Sequence, residues 1–191
     1  ATKAEKVGNH FVVNGVKQLI TSAPHAQIGI VFARTNATNE KTEVSAFAVP
    51  MESDGINVGP IEKKMGQRSS HTASVTFENV KITPDCLLGA EGNGSKIALG
   101  NLEGGRISIA AQSLGFAEAA LNSAIEYAKE RKTFGKSIID HQAVGHRLAD
   151  MATKLEAGKQ LMLHAARLKD KGEPSIKEAS MAKLFCSEIA E

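Results

Sequence analysis

Two stretches of the chain combine residue types that could do chemistry. Glu130-Arg131-Lys132-Thr133-Phe134-Gly135-Lys136 gathers a guanidinium fork, a hydroxyl, an aromatic ring and a glycine in one short run. Cations at a helix C-terminus suit the helix dipole without any further function. The same set also matches an adenine nucleotide, which asks for a charged fork on phosphate, a donor and a stacking ring. Asn101-Leu102-Glu103-Gly104-Gly105-Arg106 places consecutive glycines inside a strongly helical pattern, at a cost of about 1–2 kcal/mol against alanine. A kink or close helix packing would account for them. So would a bulky ligand passing close to the backbone.

The other candidates fail on spacing. Gly89-Ala90-Glu91-Gly92-Asn93-Gly94-Ser95-Lys96 has Ser before Lys, the reverse of a phosphate-binding P-loop, and lacks a βαβ setting. Ile97 stands where a dinucleotide fingerprint needs its third glycine, so a flexible link between two halves is expected. His10, His25, His71, His141, His146 and His164 form no HxxxH and no pairing with Cys or carboxylate at ligand spacing. Solvated or capping roles, and no metal, are expected. Ser69-Ser70-His71 sets a hydroxyl beside a base, but neighbours on a strand face opposite ways, which argues against a hydrolytic triad. Cys86 and Cys186 have no CxxC companion and read as free thiols in a reducing compartment.

The elements that must position these residues fall into two halves. Residues 1–92 read as antiparallel β, beginning almost at once after Ala1. Asn14-Gly15 between His10–Val13 and Val16–Thr21 signals a hairpin, because Asn-Gly accepts the positive φ of a type I′ turn. Further strands are expected at 27–35, 43–50, 56–63 and 72–82, separated by breakers that include Asn36–Asn39. In the last strand Ala73, Val75, Phe77 and Val80 form one buried face with a break near Asn79. Residues 93–191 change to a helical period. Ile107, Ala110, Leu114, Ala117, Leu121, Ala124 and Ala128 predict one helix from about Lys96 to Arg131, about 54 Å long. Val144, Leu148, Met151, Leu155, Gly158, Met162 and Ala165 predict a second. The 171–175 turn then opens a third, with Met181, Leu184, Phe185 and Ile189 on one stripe. The expected fold is α+β: an antiparallel β-barrel or sandwich, then part of an up-down helical bundle. Three helices leave surplus apolar faces for a partner helix or subunit. The last helical stretch has no Gly, Asn or Pro to close it, which predicts that the chain is a piece of a longer protein.

With 191 residues, 42% hydrophobic and 23% charged, the chain is long and apolar enough to bury a core, which excludes a disordered chain. Lys+Arg at 23 against Asp+Glu at 21 is too balanced for a protein that lives by phosphate contacts along nucleic acid. No apolar run approaches a membrane span, and no signal peptide is visible.

Taken together, several motifs resemble the acyl-CoA dehydrogenase family, nearest its short-chain and short/branched-chain members. They are Met65-Gly66-Gln67-Arg68-Ser69-Ser70, Phe77-Glu78-Asn79-Val80, Gly104-Gly105-Arg106 with Ala110-Ala111-Gln112-Ser113-Leu114-Gly115, and Tyr127 to Lys136 running on to His141-Gln142-Ala143. The resemblance covers essentially the whole chain in order. It implies a middle β domain over 1–92 and an incomplete C-terminal helical domain over 93–191, with an N-terminal helical domain and the rest of the bundle outside the chain. It implies α,β-desaturation of an acyl-CoA thioester, in which a carboxylate takes the α proton and the β hydride passes to FAD. The partners it implies are an electron-transfer flavoprotein and a homotetramer. The implied location is cytoplasmic in a bacterium and the mitochondrial matrix in a eukaryote.

By the same resemblance, Leu19-Ile20-Thr21 lies against the flavin ring with Thr21 near N5. Arg131, Thr133, Phe134 and Gln142 reach a neighbouring subunit's FAD, Arg131 at the pyrophosphate. Glu103, Gly104, Gly105 and Arg106 line the substrate channel, which decides the paired glycines in favour of a ligand. Three departures stand out. Leu19 replaces the usual Trp in a chain with no Trp at all. Ser22-Ala23-Pro24 replaces the usual Asn-Gly. Gly105 occupies the helix position where some members carry the catalytic Glu; others carry it in a late loop. Glu103 is a poor substitute, since two residues along a helix is a rotation of about 200°. No catalytic base is therefore assigned within the chain. An acyl-CoA oxidase or another flavoenzyme of this fold is the alternative, and a non-catalytic oligomerisation module is the alternative from another class.

Overall fold

The computed structural model describes residues 2–38 and 41–191, in two units, Ala1–Leu99 and Gly100–Glu191. In the first, β1 (Lys3–Val7), β2 (His10–Thr21), β3 (Ile28–Thr38), β4 (Lys41–Pro50), β5 (Ile56–Val58), β6 (Thr72–Ile82) and β7 (Leu87–Leu88) form a seven-stranded sheet. Its order is β5-β6-β2-β1-β3-β4-β7. Neighbours run antiparallel except β1 and β3, which pair in parallel at Lys3 and Arg34. The linker expected at Asn36–Asn39 is not there as such: β3 continues to Thr38, and Asn39 and Glu40 lie outside the described residues.

The Asn14-Gly15 hairpin is a misreading. β2 runs straight through that dipeptide, and the tight turn sits earlier, where Val7 pairs with His10 around Gly8 at φ 58°. Glycine at the first central position suits such a two-residue turn. Gly15, at φ 139°, is required instead by close approach, since a Cβ there would lie 2.6 Å from Thr2 Cα. Asn14 serves a bulge: its Oδ1 accepts from the Asn79 N–H (2.7 Å), and its Nδ2 donates to Asn79 Oδ1 (3.2 Å). The expected break near Asn79 is this bulge, with Asn79 at φ 53°. The extra residue shifts the buried alternation of β6 from Ala73, Val75 and Phe77 to Val80 and Ile82. These side chains pack with Phe11, Val13, Phe47 and Val49, and Phe11 meets Phe47 edge-on at 5.1 Å.

The glycine-rich 89–96 segment is tied to β4 rather than a free tether. The Gly92 N–H donates to Ser45 Oγ (2.9 Å), Asn93 bridges Val44, and a Cβ on Gly94 would meet the Ser45 backbone at 2.7 Å.

The helices are α1 (Gly94–Glu130), α2 (Gln142–Asp170) and α3 (Ile176–Ile189). α1 has 37 residues, about 55 Å at 1.5 Å per residue. A small hairpin, β8 (Lys132–Thr133) and β9 (Lys136–Ser137), follows it. In the second unit Ala110, Leu114, Ala182 and Cys186 are buried together, with Leu155, Met162 and Ile189 against them. The stripe expected on α3 packs only in part: Ile189 lies against the core and Phe185 is half-buried. Met181 and Leu184 are exposed, and the buried side chains are Ala179, Ala182 and Cys186. Cys186 and Ile189 pack close to Gly158, where a Cβ would lie 3.0–3.2 Å from Leu114, Ile189 and Cys186. At that separation a side chain on residue 158 would crowd its neighbours, which favours glycine there.

Candidate functional site

At its far end β2 is bent by a second bulge, where the pairing with β6 skips between Lys17 and Ile20. Leu19 takes φ 56° there and is 69% exposed. A large apolar side chain in the left-handed region and in water is disfavoured twice, and outliers of this kind gather at functional sites. Ile20 and Thr21 follow, both exposed, with Thr21 paired to Thr72, and Ser22 is again left-handed at φ 62°. Ile20 and Thr21 also line a cavity of about 340 Å³ with Lys17, Ile28, Met51 and Phe77. Lys17 donates to the Phe32 carbonyl at 2.5 Å, and burial lowers its pKa.

In the second unit, Arg131, Thr133 and Phe134 share the β8–β9 hairpin. Thr133 pairs with Lys136, so Phe134 and Gly135 are its two central residues, at φ 51° and 79°. Positive φ at both positions is type I′ geometry, which favours Asn-Gly. Phe takes the first position here with its ring 97% exposed. The hairpin is fixed on both sides. Ser137 Oγ donates to the Lys129 carbonyl (2.9 Å), and the Ile138 N–H to that of Arg131 (2.8 Å). His141 Nε2 lies 3.0 Å from Thr133 Oγ1, and its ring meets Phe134 edge-on at 6.2 Å. Gln142, exposed, opens α2 immediately after His141. The ion pairs Lys129–Glu126 and Lys154–Asp150, found among the described residues, leave the exposed Arg131 guanidinium out.

Glu103, Gly104, Gly105 and Arg106 lie on α1, which is unbroken from Gly94 to Glu130. They sit roughly 38 Å along the helix from Arg131, so the two groups of candidates are separate places. Among the described residues, nothing comes within 4 Å of a Cβ built on Gly105, and only the Lys169 side chain approaches one on Gly104 (3.3 Å). Close packing does not explain the glycines. Glu103 accepts a short hydrogen bond from Ser175 Oγ, at the start of α3. That bond first, then Lys169 and Arg106, holds its carboxyl below the usual range against a smaller opposing effect of burial.

Sequence reasoning missed three associations. Glu103–Ser175 and His141–Thr133 join residues whose separate types gave no hint of contact. The third is His25 Nε2 against His71 Nδ1 at 2.6 Å, a pair 46 positions apart. Ser69 and His71 are not strand neighbours, since β6 begins only at Thr72, and the His71 ring is engaged with His25. Among the described residues no group of three or more His, Cys, Asp and Glu side chains could hold a metal.

Family comparison agrees with the motifs. Residues 1–80 match the acyl-CoA dehydrogenase middle domain and residues 92–191 the acyl-CoA dehydrogenase C-terminal domain. The rat short/branched chain specific acyl-CoA dehydrogenase is 46% identical over 99% of this chain and 44% of its own length. A subunit of the caffeyl-CoA reductase–Etf complex of Acetobacterium woodii is 43% identical over 99% of this chain and 50% of its own. The structure of butyryl-CoA dehydrogenase from Megasphaera elsdenii superposes with a TM-score of 0.94 at 40% identity, over 99% of this chain and 50% of that one. The chain thus spans about half the length of the relatives it matches. With both domain models matched in order, and a shared fold beneath them, this chain belongs to the acyl-CoA dehydrogenase family.

Proposed function

We propose that the chain supplies part of the flavin and thioester sites of an enzyme that desaturates an acyl-CoA thioester at its α,β bond. The observation that carries the reading is Phe134, a strained and fully solvated aromatic on a rigid hairpin. The described residues bury almost none of Phe134, and strain without burial supports a contact made with a ligand.

The residues present fit FAD. Phe134 offers a stacking face, Arg131 a guanidinium for the pyrophosphate, and Thr133 and Gln142 polar groups beside them. As the family resemblance has it, this hairpin serves the FAD of a neighbouring subunit in a homotetramer. Leu19 and Ile20 present apolar surface to a flat ring, and the Thr21 hydroxyl can donate at its N5 edge. When bound, FAD supplies the acceptor for the β hydride. Gly104 and Gly105 give clearance for the thioester chain, and Arg106 a cation beside it. Glu103, hydrogen-bonded to Ser175 and held in its charged form, is a weak proton acceptor. No residue of this chain is assigned as the base.

An electron-transfer flavoprotein is the proposed electron acceptor, in keeping with the Etf complex named for the Acetobacterium relative. The test is direct. The intact enzyme that contains this chain should carry an oxidised-flavin spectrum that acyl-CoA bleaches under anaerobic conditions, whereas the 191 residues alone, with no base to take the α proton, should not be bleached. Recovery of the spectrum with oxygen alone would make it an oxidase. A protein that takes up no flavin from excess FAD would overturn the reading in favour of a non-catalytic module.

A further inference from the structure

Thr21 stands between two left-handed residues, Leu19 (φ 56°) and Ser22 (φ 62°). Neither conformation is one that an L-residue keeps by itself, so surrounding contacts must impose both. For Leu19 the β2–β6 bulge does so. For Ser22 three contacts close a ring. The Ser22 N–H donates to the His71 carbonyl (2.8 Å), the His25 N–H donates to the Ser22 carbonyl (2.9 Å), and the two imidazoles join at 2.6 Å. Their ring centroids lie 4.9 Å apart. Ala23, inside the ring, is buried, and Pro24 stiffens the turn. His71 is in turn fixed from its own side, where Lys64 Nζ donates to the Ser70 carbonyl and to Thr72 Oγ1 (3.2 Å).

We propose that His25 and His71 are a positioning pair: their side-chain hydrogen bond locks the Ser22 turn and thereby aims the Thr21 hydroxyl. The proposal rests on the reading that Thr21 meets the flavin. The pair acts through backbone, not by touching the ligand. It needs one nitrogen to donate and the other to accept, so an amide can replace either imidazole. Histidine chemistry is not required; a short donor–acceptor bridge across this turn is.

The test uses His25→Ala, which removes an exposed side chain, together with the His25→Gln/His71→Asn double variant, which keeps a bridge. Hydrogen exchange in the apo protein should be faster at Ser22 and His25 in His25→Ala and near parental in the double variant. Loss of a hydrogen bond of ordinary strength should raise the FAD dissociation constant about threefold to tenfold. It should also shift the long-wavelength flavin band, and the double variant should restore both. Unchanged exchange in His25→Ala overturns the lock. Faster exchange with unchanged FAD affinity and spectrum overturns the link to Thr21. A parent protein that binds no FAD overturns the functional reading instead, and the exchange data then judge the lock alone.

Discussion

Phe134→Asn separates what the fold wants at the hairpin tip from what a ligand wants. The parent ring is 97% exposed, so its removal gives up almost no burial, only an edge contact with His141 at 6.2 Å. Holding Phe at φ 51° costs about 1–2 kcal/mol for an ordinary L-residue, and Asn tolerates that region far better. The variant should therefore be more stable by roughly 1 kcal/mol, a rise in Tm of about 2–4 °C for a chain of this size. If the ring stacks on an adenine nucleotide, its loss should cost about 0.5–1.5 kcal/mol of binding, or roughly a twofold to twelvefold weaker FAD complex. Thermal melting of the apo protein and FAD titration by fluorescence give the two numbers. They should move in opposite directions. A destabilised variant would show that Phe134 supports the fold, and unchanged FAD affinity would remove it from the site.

Arg131→Ala should weaken FAD retention by the roughly 1.5–3 kcal/mol of a charge-assisted hydrogen bond; a variant that keeps its flavin through dialysis as the parent does would take Arg131 off the pyrophosphate. Leu19→Trp, at an exposed position on the β2 bulge, should fold normally and bind FAD about 0.5–1.5 kcal/mol more tightly, and an unaltered titration would mean the strand meets the flavin differently. Gly105→Ala has open space around its new methyl, so it should stabilise α1 by up to about 1 kcal/mol while raising the KM for acyl-CoA; a gain in stability with unchanged KM would leave the channel assignment without support. For Glu103 the sign follows from its lowered pKa. Its stabilisation is present above the ordinary carboxylate range and is lost as pH falls through the lowered folded-state value. Glu103→Gln should flatten that acid limb in urea melts at stepped pH, and an identical limb in parent and variant would count against the Ser175 contact.

The broad fold was legible because period carries far. The β6 face and the Ala110–Leu114–Leu121–Ala128 seam of α1 depend only on burying one side of a regular element, and both are buried as expected. The failures share a different cause. Asn14-Gly15 is a good turn signal, but the same dipeptide also suits a bulge where another chain segment presses on the backbone, and only Thr2 and Asn79 decide between them. On α3, Met181 and Leu184 are the more hydrophobic residues, yet Ala179, Ala182 and Cys186 are the buried ones, Cys186 close against Gly158. Local pattern says which residues prefer burial. It does not say how much room the neighbour leaves.

The candidate site was legible in types and not in strain. Arg131, Thr133 and Phe134 stand out by chemistry alone, but nothing in the string says that Phe134 fills a left-handed turn position that Asn would fill better. The same holds for Leu19 and Ser22 on either side of Thr21. These three are among five left-handed non-glycine residues in the described structure, with Gln67 and Asn79. Asn79 is a residue type that suits the region, and it is matched by its bonds to Asn14. Leu19 and Phe134 have neither a suitable type nor burial to offset the conformation. A sequence under selection for stability alone would have replaced both with Asn or Gly. That they are instead two of the three exposed apolar side chains proposed to meet FAD, with Ile20 the third, is an independent reason for that proposal, because strain and motif arise from different properties of the chain.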